Sequence, residues 1–159
     1  MPPRLTPLTV ALSLEQASAI IDEALRLARQ HDMLPLTVAV LDVGGHQIAL
    51  KREDGSGIIR VQVANAKAYG ALGMGVSSRM IGERLAARPV FATALSVIST
   101  GQFVSVPGGV LICDAGGTVI GAVGISGETS ARDEFAAIGG IKAVGLQSEP
   151  AEPVSDWDQ

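Results

Sequence analysis

The sequence is poor in the groups that carry most protein chemistry. Among 159 residues it has one cysteine, Cys113, and two histidines, His31 and His46. A single thiol closes no internal disulfide, and without spaced Cys/His companions it builds no zinc site, a pattern suited to a reducing cytoplasm. Cys113 is expected as a buried small hydrophobe. A dedicated metal centre is not expected from so few ligands unless subunits share them or carboxylates fill in. Aromatic residues make up 3% of the chain, so only Tyr69, Phe91, Phe103, Phe135 and Trp157 are available to stack on a ring system. Twelve basic residues against sixteen acidic ones leave a net charge of −4. The basic residues form no run, which argues against a nucleic-acid partner. No stretch reaches the roughly 18 continuous apolar residues of a membrane helix. The opening MPPRLTPLTVAL is too short and too interrupted for a secretion signal, and a cytoplasmic protein without membrane contact is expected.

What remains is apolar and glycine-rich. With 47% hydrophobic and 18% charged residues, the chain has the material for one domain with a core of its own. We expect an N-terminal extension over 1–12, a single domain over 13–147, and a loose acidic tail over 148–159, where SEPAEPVSDWDQ offers little to bury.

Ser13 followed by Gln16 has capping-box spacing, and Leu14, Ala17, Ile21, Ala24, Leu25 and Ala28 recur on one helical face, predicting a helix over 13–31. Val38 to Leu41 and Gln47 to Lys51 read as strands joined through Asp42-Val43-Gly44-Gly45. From Arg60 to Ser99 the chain is rich in Ala, Leu and Met. It is broken at Gly73-Met74-Gly75 and before Pro89, so two or three helices fit, with Ser77 or Ser78 capping the second. FVSV, GVLICD and TVIGAVGIS read as strands. Thr129 or Ser130 then caps a last helix carrying Phe135, Ile138 and Ile141 on its buried side. This order predicts an α+β fold with a mostly antiparallel sheet of about five strands.

The stretch VPGGVLICDAGGTVIGAVGISG, residues 106–127, spends seven glycines in twenty-two positions. VLDVGGHQIAL and LICDAGGTVIGA share one plan, strand, Asp-x-Gly-Gly, strand, which places Gly108, Gly109, Gly116 and Gly117 in or beside turns. Gly121, Gly124 and Gly127 are spaced GxxGxxG and lie partly inside a strand. A dinucleotide fingerprint needs GxGxxG between a strand and a helix of a parallel unit, and no GK[ST] occurs, so nucleotide motifs are excluded. GISGE lacks the G-x-S-x-G spacing of a serine hydrolase.

VAVLDVGGHQIALKREDG, ANAKAYGA, VPGGVLI and GAVGISGETSARDEFAAIG follow one another in the order typical of the GlcG/HbpS-like family, which includes the C-terminal domain of PduO-type proteins. The chain resembles that family from about Leu14 to Leu146. Glu53 stands where many relatives have Met, and Leu111 where many have Pro. The resemblance implies a profilin-like domain, an antiparallel sheet flanked by helices, assembling into homo-oligomers, dimers or octamers. It also implies a small-molecule ligand: members are associated with haem or corrinoid, others with small-molecule catabolism.

The residues leave three readings open: a binding protein for haem or a related tetrapyrrole, a cofactor-independent lyase or isomerase, and a scaffold without chemistry. Lys67, in NAKA, is a candidate base or anion partner, or one half of a structural bridge with Asp42, Asp54 or Glu134. Asp133 and Glu134, in the first turn of the last helix, are candidate acid/base groups or plain partners of the helix dipole. Arg52 can hold a carboxylate or propionate. His46 is a candidate iron ligand or a solvated turn residue, while His31 ends a helix where a cation suits the dipole. Gly108, Gly109, Ser126 and Gly127 are expected to leave bare backbone for a ligand beside Lys67, Arg52 and the start of the last helix.

Overall fold

The computed structural model describes all residues, 1–159, and has five helices and a five-stranded antiparallel sheet, an α+β fold. Helix α1 spans Leu14–Gln30, β1 Thr37–Asp42, β2 Gln47–Arg52, α2 Ile59–Met74, α3 Ser78–Leu85 and α4 Pro89–Ile98. Strands β3, Gly109–Cys113, and β4, Val119–Ser126, precede α5, Ser130–Ala143, and the short β5, Gln147–Glu149. The strand order is β2-β1-β4-β3-β5.

Local signals set most boundaries. At the start of α1 the Ser13 hydroxyl accepts from Gln16 N at 3.1 Å while the Gln16 side chain accepts from Ser13 N at 3.0 Å. Thr129 caps α5, Ser77 caps α3, and Pro89 opens α4. The exposed Leu14 is the exception on the face predicted for α1, and Ile20 takes its place in the core.

The sheet is covered on both sides, so its central strands are buried on both faces. Val38, Val40, Val110, Ile112, Val123 and Ile125 face α1 and α5 in the main core. Leu41, Leu111 and Ala122 face α2 with Ala68 and Ala71. On the α2 side the register aligns Ala39, Gly124 and Gly109 across three neighbouring strands, a row almost without side chains. Helix α2 lies in it: a Cβ on Gly124 would strike the Ala64 carbonyl, and one on Gly109 the Lys67 carbonyl.

Two expectations need correction. FVSV is not a strand. Phe103 is buried with Ile81 and Leu85, and its carbonyl accepts from the Ser96 hydroxyl at 3.0 Å, so a side chain satisfies the group a ladder would have used. The fifth strand is instead β5, paired with β3 through Leu111↔Glu149, Ile112↔Ser148 and Cys113↔Gln147. Residues after it, expected as a loose tail, lie against the body: Trp157 stacks on Phe135 with ring centroids 3.5 Å apart. Cys113 is buried as expected.

Candidate functional site

Lys67 enters from α2 and Asp133 from α5, on opposite faces of the sheet, and they meet at the end of β4. Lys67 Nζ donates to Asp133 Oδ2 at 3.0 Å and to the Ile125 carbonyl at 2.8 Å, with both side chains buried. The second carboxylate oxygen of Asp133 accepts from Glu128 N at 3.0 Å. Burial drives the Lys67 pKa down and that of Asp133 up, and the attraction between them opposes both shifts. Lys67 therefore has a bridge partner, but it is Asp133, not Asp42, Asp54 or Glu134.

The glycines around this pair are filled by protein. A Cβ on Gly108 would come 2.8 Å from Lys67 Nζ, and Gly127 is closed by the Pro35 carbonyl. The Ser126 hydroxyl accepts from Arg60 Nη1 at 3.1 Å. At the start of α5, Thr129 and Asp133 side chains already take the N–H groups of Arg132 and Glu128. The bare backbone serves close packing of α2 on the sheet.

Glu134 lies one residue on and faces elsewhere. It is fully buried, and neither of its carboxylate oxygens has a hydrogen bond, although Arg79 Nε stands 3.2 Å away. Burial pushes its pKa up to about 7, with Arg79 pulling it back. Lys67, Asp133 and Glu134 are thus all buried in the single chain.

Arg52 and His46 stand at opposite ends of the sheet. Arg52 pairs across to Thr37, the residue that also aligns with Ser126, whereas His46 sits past the tip of the β1–β2 hairpin, roughly 17 Å along the strand. Arg52 Nη1 donates to the Ser56 carbonyl at 3.0 Å and closes the turn after β2. It borders an open groove of about 590 Å³ with Arg29 and Lys51, but Arg29 is paired with Glu53 and Lys51 with Asp22. Arg29 and Lys51 thus have carboxylate partners, whereas Arg52 has only the Ser56 carbonyl.

His46 is different. Its side chain is 83% exposed, and Nδ1 lies 3.3 Å from Asp42 Oδ1, which leaves Nε2 as the nitrogen free of protein partners. The same carboxylate oxygen accepts from Gly44 N at 2.9 Å and His46 N at 3.0 Å. His46 lines a mainly apolar groove of about 540 Å³ walled by Leu8, Val10, Leu12, Val43, Ile48 and Ile120. That volume falls within the roughly 300–1,000 Å³ range of small-molecule sites. His31, by contrast, is packed edge-on against Phe135 at 5.0 Å and Trp157 at 5.2 Å.

The second hairpin of the same plan is an internal control. Asp114 Oδ1 accepts from Gly116 N and Thr118 N, both at 2.9 Å, as Asp42 does from Gly44 and His46, but Thr118 stands where His46 does. The turn therefore does not require histidine. Asp42 was missed as a site residue because its turn role is the stronger sequence signal. Arg60 and Arg79 gave no signal, since their partners lie far along the chain.

The family model described as "Haem degrading protein HbpS-like" matches residues 12–142. Among solved structures, a PduOC–haem complex is similar at 25% identity with a TM-score of 0.78, covering 88% of this chain and 99% of that one. HbpS is similar at 26% identity with a TM-score of 0.71, covering 87% of this chain and 93% of that one. The Klebsiella pneumoniae protein ORFY shares the fold at 20% identity with a TM-score of 0.76, over 91% of this chain and 98% of that one. No curated protein matches the chain.

Proposed function

Because the chain belongs to the HbpS-like family, whose model covers residues 12–142, we propose that it binds haem or a related tetrapyrrole in the groove beside His46. The observation that carries this reading is an unshielded imidazole, with a carboxylate oxygen 3.3 Å from Nδ1, on the rim of an apolar groove. A histidine that ligates a metal through one nitrogen commonly gives its other N–H to a carboxylate, which fixes the ring and strengthens the ligand. Asp42, with Oδ1 3.3 Å from Nδ1, stands beside His46 where such a carboxylate would be needed. The residues fit the group in that His46 would hold the metal and the apolar wall would take the ring, while no aromatic side chain or cation lines the groove.

When bound, the iron would supply ligand-exchange and redox chemistry. The chain's own part is to hold Nε2 outward, exclude water from one face through Leu8, Val10, Leu12 and Ile120, and keep the hairpin rigid through Asp42. We also propose a cytoplasmic homo-oligomer, a dimer or octamer. Support comes from α4, which has no buried residue although Val90, Val97 and Ile98 are apolar. A haemin titration read by absorbance tests the binding reading. A sharp Soret band saturating at one haem per chain is expected, and a broad, non-saturating rise overturns it.

A further inference from the structure

Glu134 has no part in the groove beside His46, yet it is a fully buried carboxyl that makes no hydrogen bond and has Arg79 as its ion-pair partner. An ionised carboxylate in such a place is costly unless it is paired and hydrogen-bonded. What covers it is the chain after β5. Arg79 faces Glu134 through Nε at 3.2 Å and donates through Nη2 to the Glu152 carbonyl at 3.0 Å, so one guanidinium touches both the buried acid and the segment above it. From that segment the Val154 backbone N–H favours the ionised carboxyl, although Glu134 makes no hydrogen bond of normal geometry. The Glu149 side chain accepts from Ser77 N at 2.6 Å, and Lys142 pairs with the Glu152 side chain at 2.7 Å. Trp157 completes the attachment on Phe135.

We propose that residues 149–157 form a pH-responsive strap whose docking over α3 and α5 is set by the charge on Glu134. Neutral Glu134 tolerates the dry site and leaves Arg79 to hold the Glu152 carbonyl. Ionised Glu134 competes for Arg79 and for water, and both demands are met by lifting the strap. The charged groups acting on Glu134 are Arg79 and Glu83 from α3, Glu149 from β5 and Lys67 from α2. Arg79 and Lys67 favour the ionised form, while Glu83 and Glu149 oppose it. Burial outweighs all of them and brings the transition to about pH 7.

Trp157, the one tryptophan in the chain, lies in the strap and reports on it directly. The experiment is a fluorescence titration of the full chain between pH 5 and 9, alongside E134Q and R79Q. The wild type is expected to show a red shift of Trp emission as pH rises through about 7. E134Q is expected to show none, and R79Q a transition moved to higher pH because the guanidinium no longer favours the carboxylate. His31, which faces Trp157, is present in all three proteins, so a transition arising there would survive in E134Q. A wild-type signal flat across the range, a transition unchanged in E134Q, or one whose midpoint does not move in R79Q overturns the proposal. The R79Q midpoint decides even if E134Q fails to fold.

Discussion

Lys67 Nζ lies 3.0 Å from Asp133 Oδ2, and this buried pair ties α2 on one face of the sheet to α5 on the other. The bond spans 66 residues of sequence and passes beside Gly108, where a side chain would displace the lysine. Lys67→Met keeps the aliphatic stem but strands the Asp133 carboxylate. Removing one partner of a buried pair costs about 3–5 kcal/mol. We expect thermal melts of Lys67→Met to show a fall of roughly 10 °C or more, with haemin affinity per folded molecule unchanged. An unaltered melt accompanied by weakened haemin binding would return Lys67 to a ligand role.

Gly124 and Gly57 form a matched pair of tests. Gly124→Ala drives a methyl into the Ala64 carbonyl, whereas a Cβ at Gly57 meets nothing within 4 Å. Overpacking against backbone should cost about 3 kcal/mol or more at Gly124, and Gly57→Ala should stay within about 0.5 kcal/mol of wild type. Urea midpoints check both. Equal, small effects would mean that α2 does not need the bare row to dock.

Stability should also carry the signature of Glu134. Its native pKa is pushed up from the usual 4.5 to about 7, so between those values the native state holds more protons than the unfolded chain. Stability from this group is therefore lost as pH rises through that window and is level above it. Urea unfolding should show wild type losing stability relative to E134Q from acid to neutral pH. A relative gain by wild type over the same range would reverse the sign and contradict the buried assignment.

Sequence reasoning reached those elements whose causes are local. Ser13 and Gln16 announce α1 within four residues, and Asp42 and Asp114 each close a hairpin with the glycines that follow them. Features made by distant segments were out of reach. Phe103 leaves a strand-like run because Ile81 and Leu85 receive it, and β5 exists because β3 offers an open edge to a polar tripeptide. The glycines of β3 and β4 looked like a ligand cradle because nothing in their own stretch shows that α2, from 35 or more residues earlier, fills the space. His46 was legible as a candidate, and the shared Asp-x-Gly-Gly plan already sets it against Thr118; what the structure adds is that the two aspartates close their turns with the same backbone bonds.

The exposed apolar surface of α4 leads to a prediction on assembly. Val90, Val97 and Ile98 are each more than 70% exposed in the single chain. Light scattering at micromolar concentration should give a mass of two or more chains. A single species near 16 kDa would contradict it.

The account rests most on His46, and haemin titration of wild type beside His46→Ala tests it most directly. The substitution removes an exposed side chain at a hairpin tip whose turn bonds come from Asp42 and backbone, so the melting temperature should stay where it is. Loss of the imidazole that would hold the iron should weaken haemin by tenfold or more, about 1.4 kcal/mol, and displace the Soret maximum. Identical affinity and an identical Soret band in the two proteins would show that His46 does not hold the ligand.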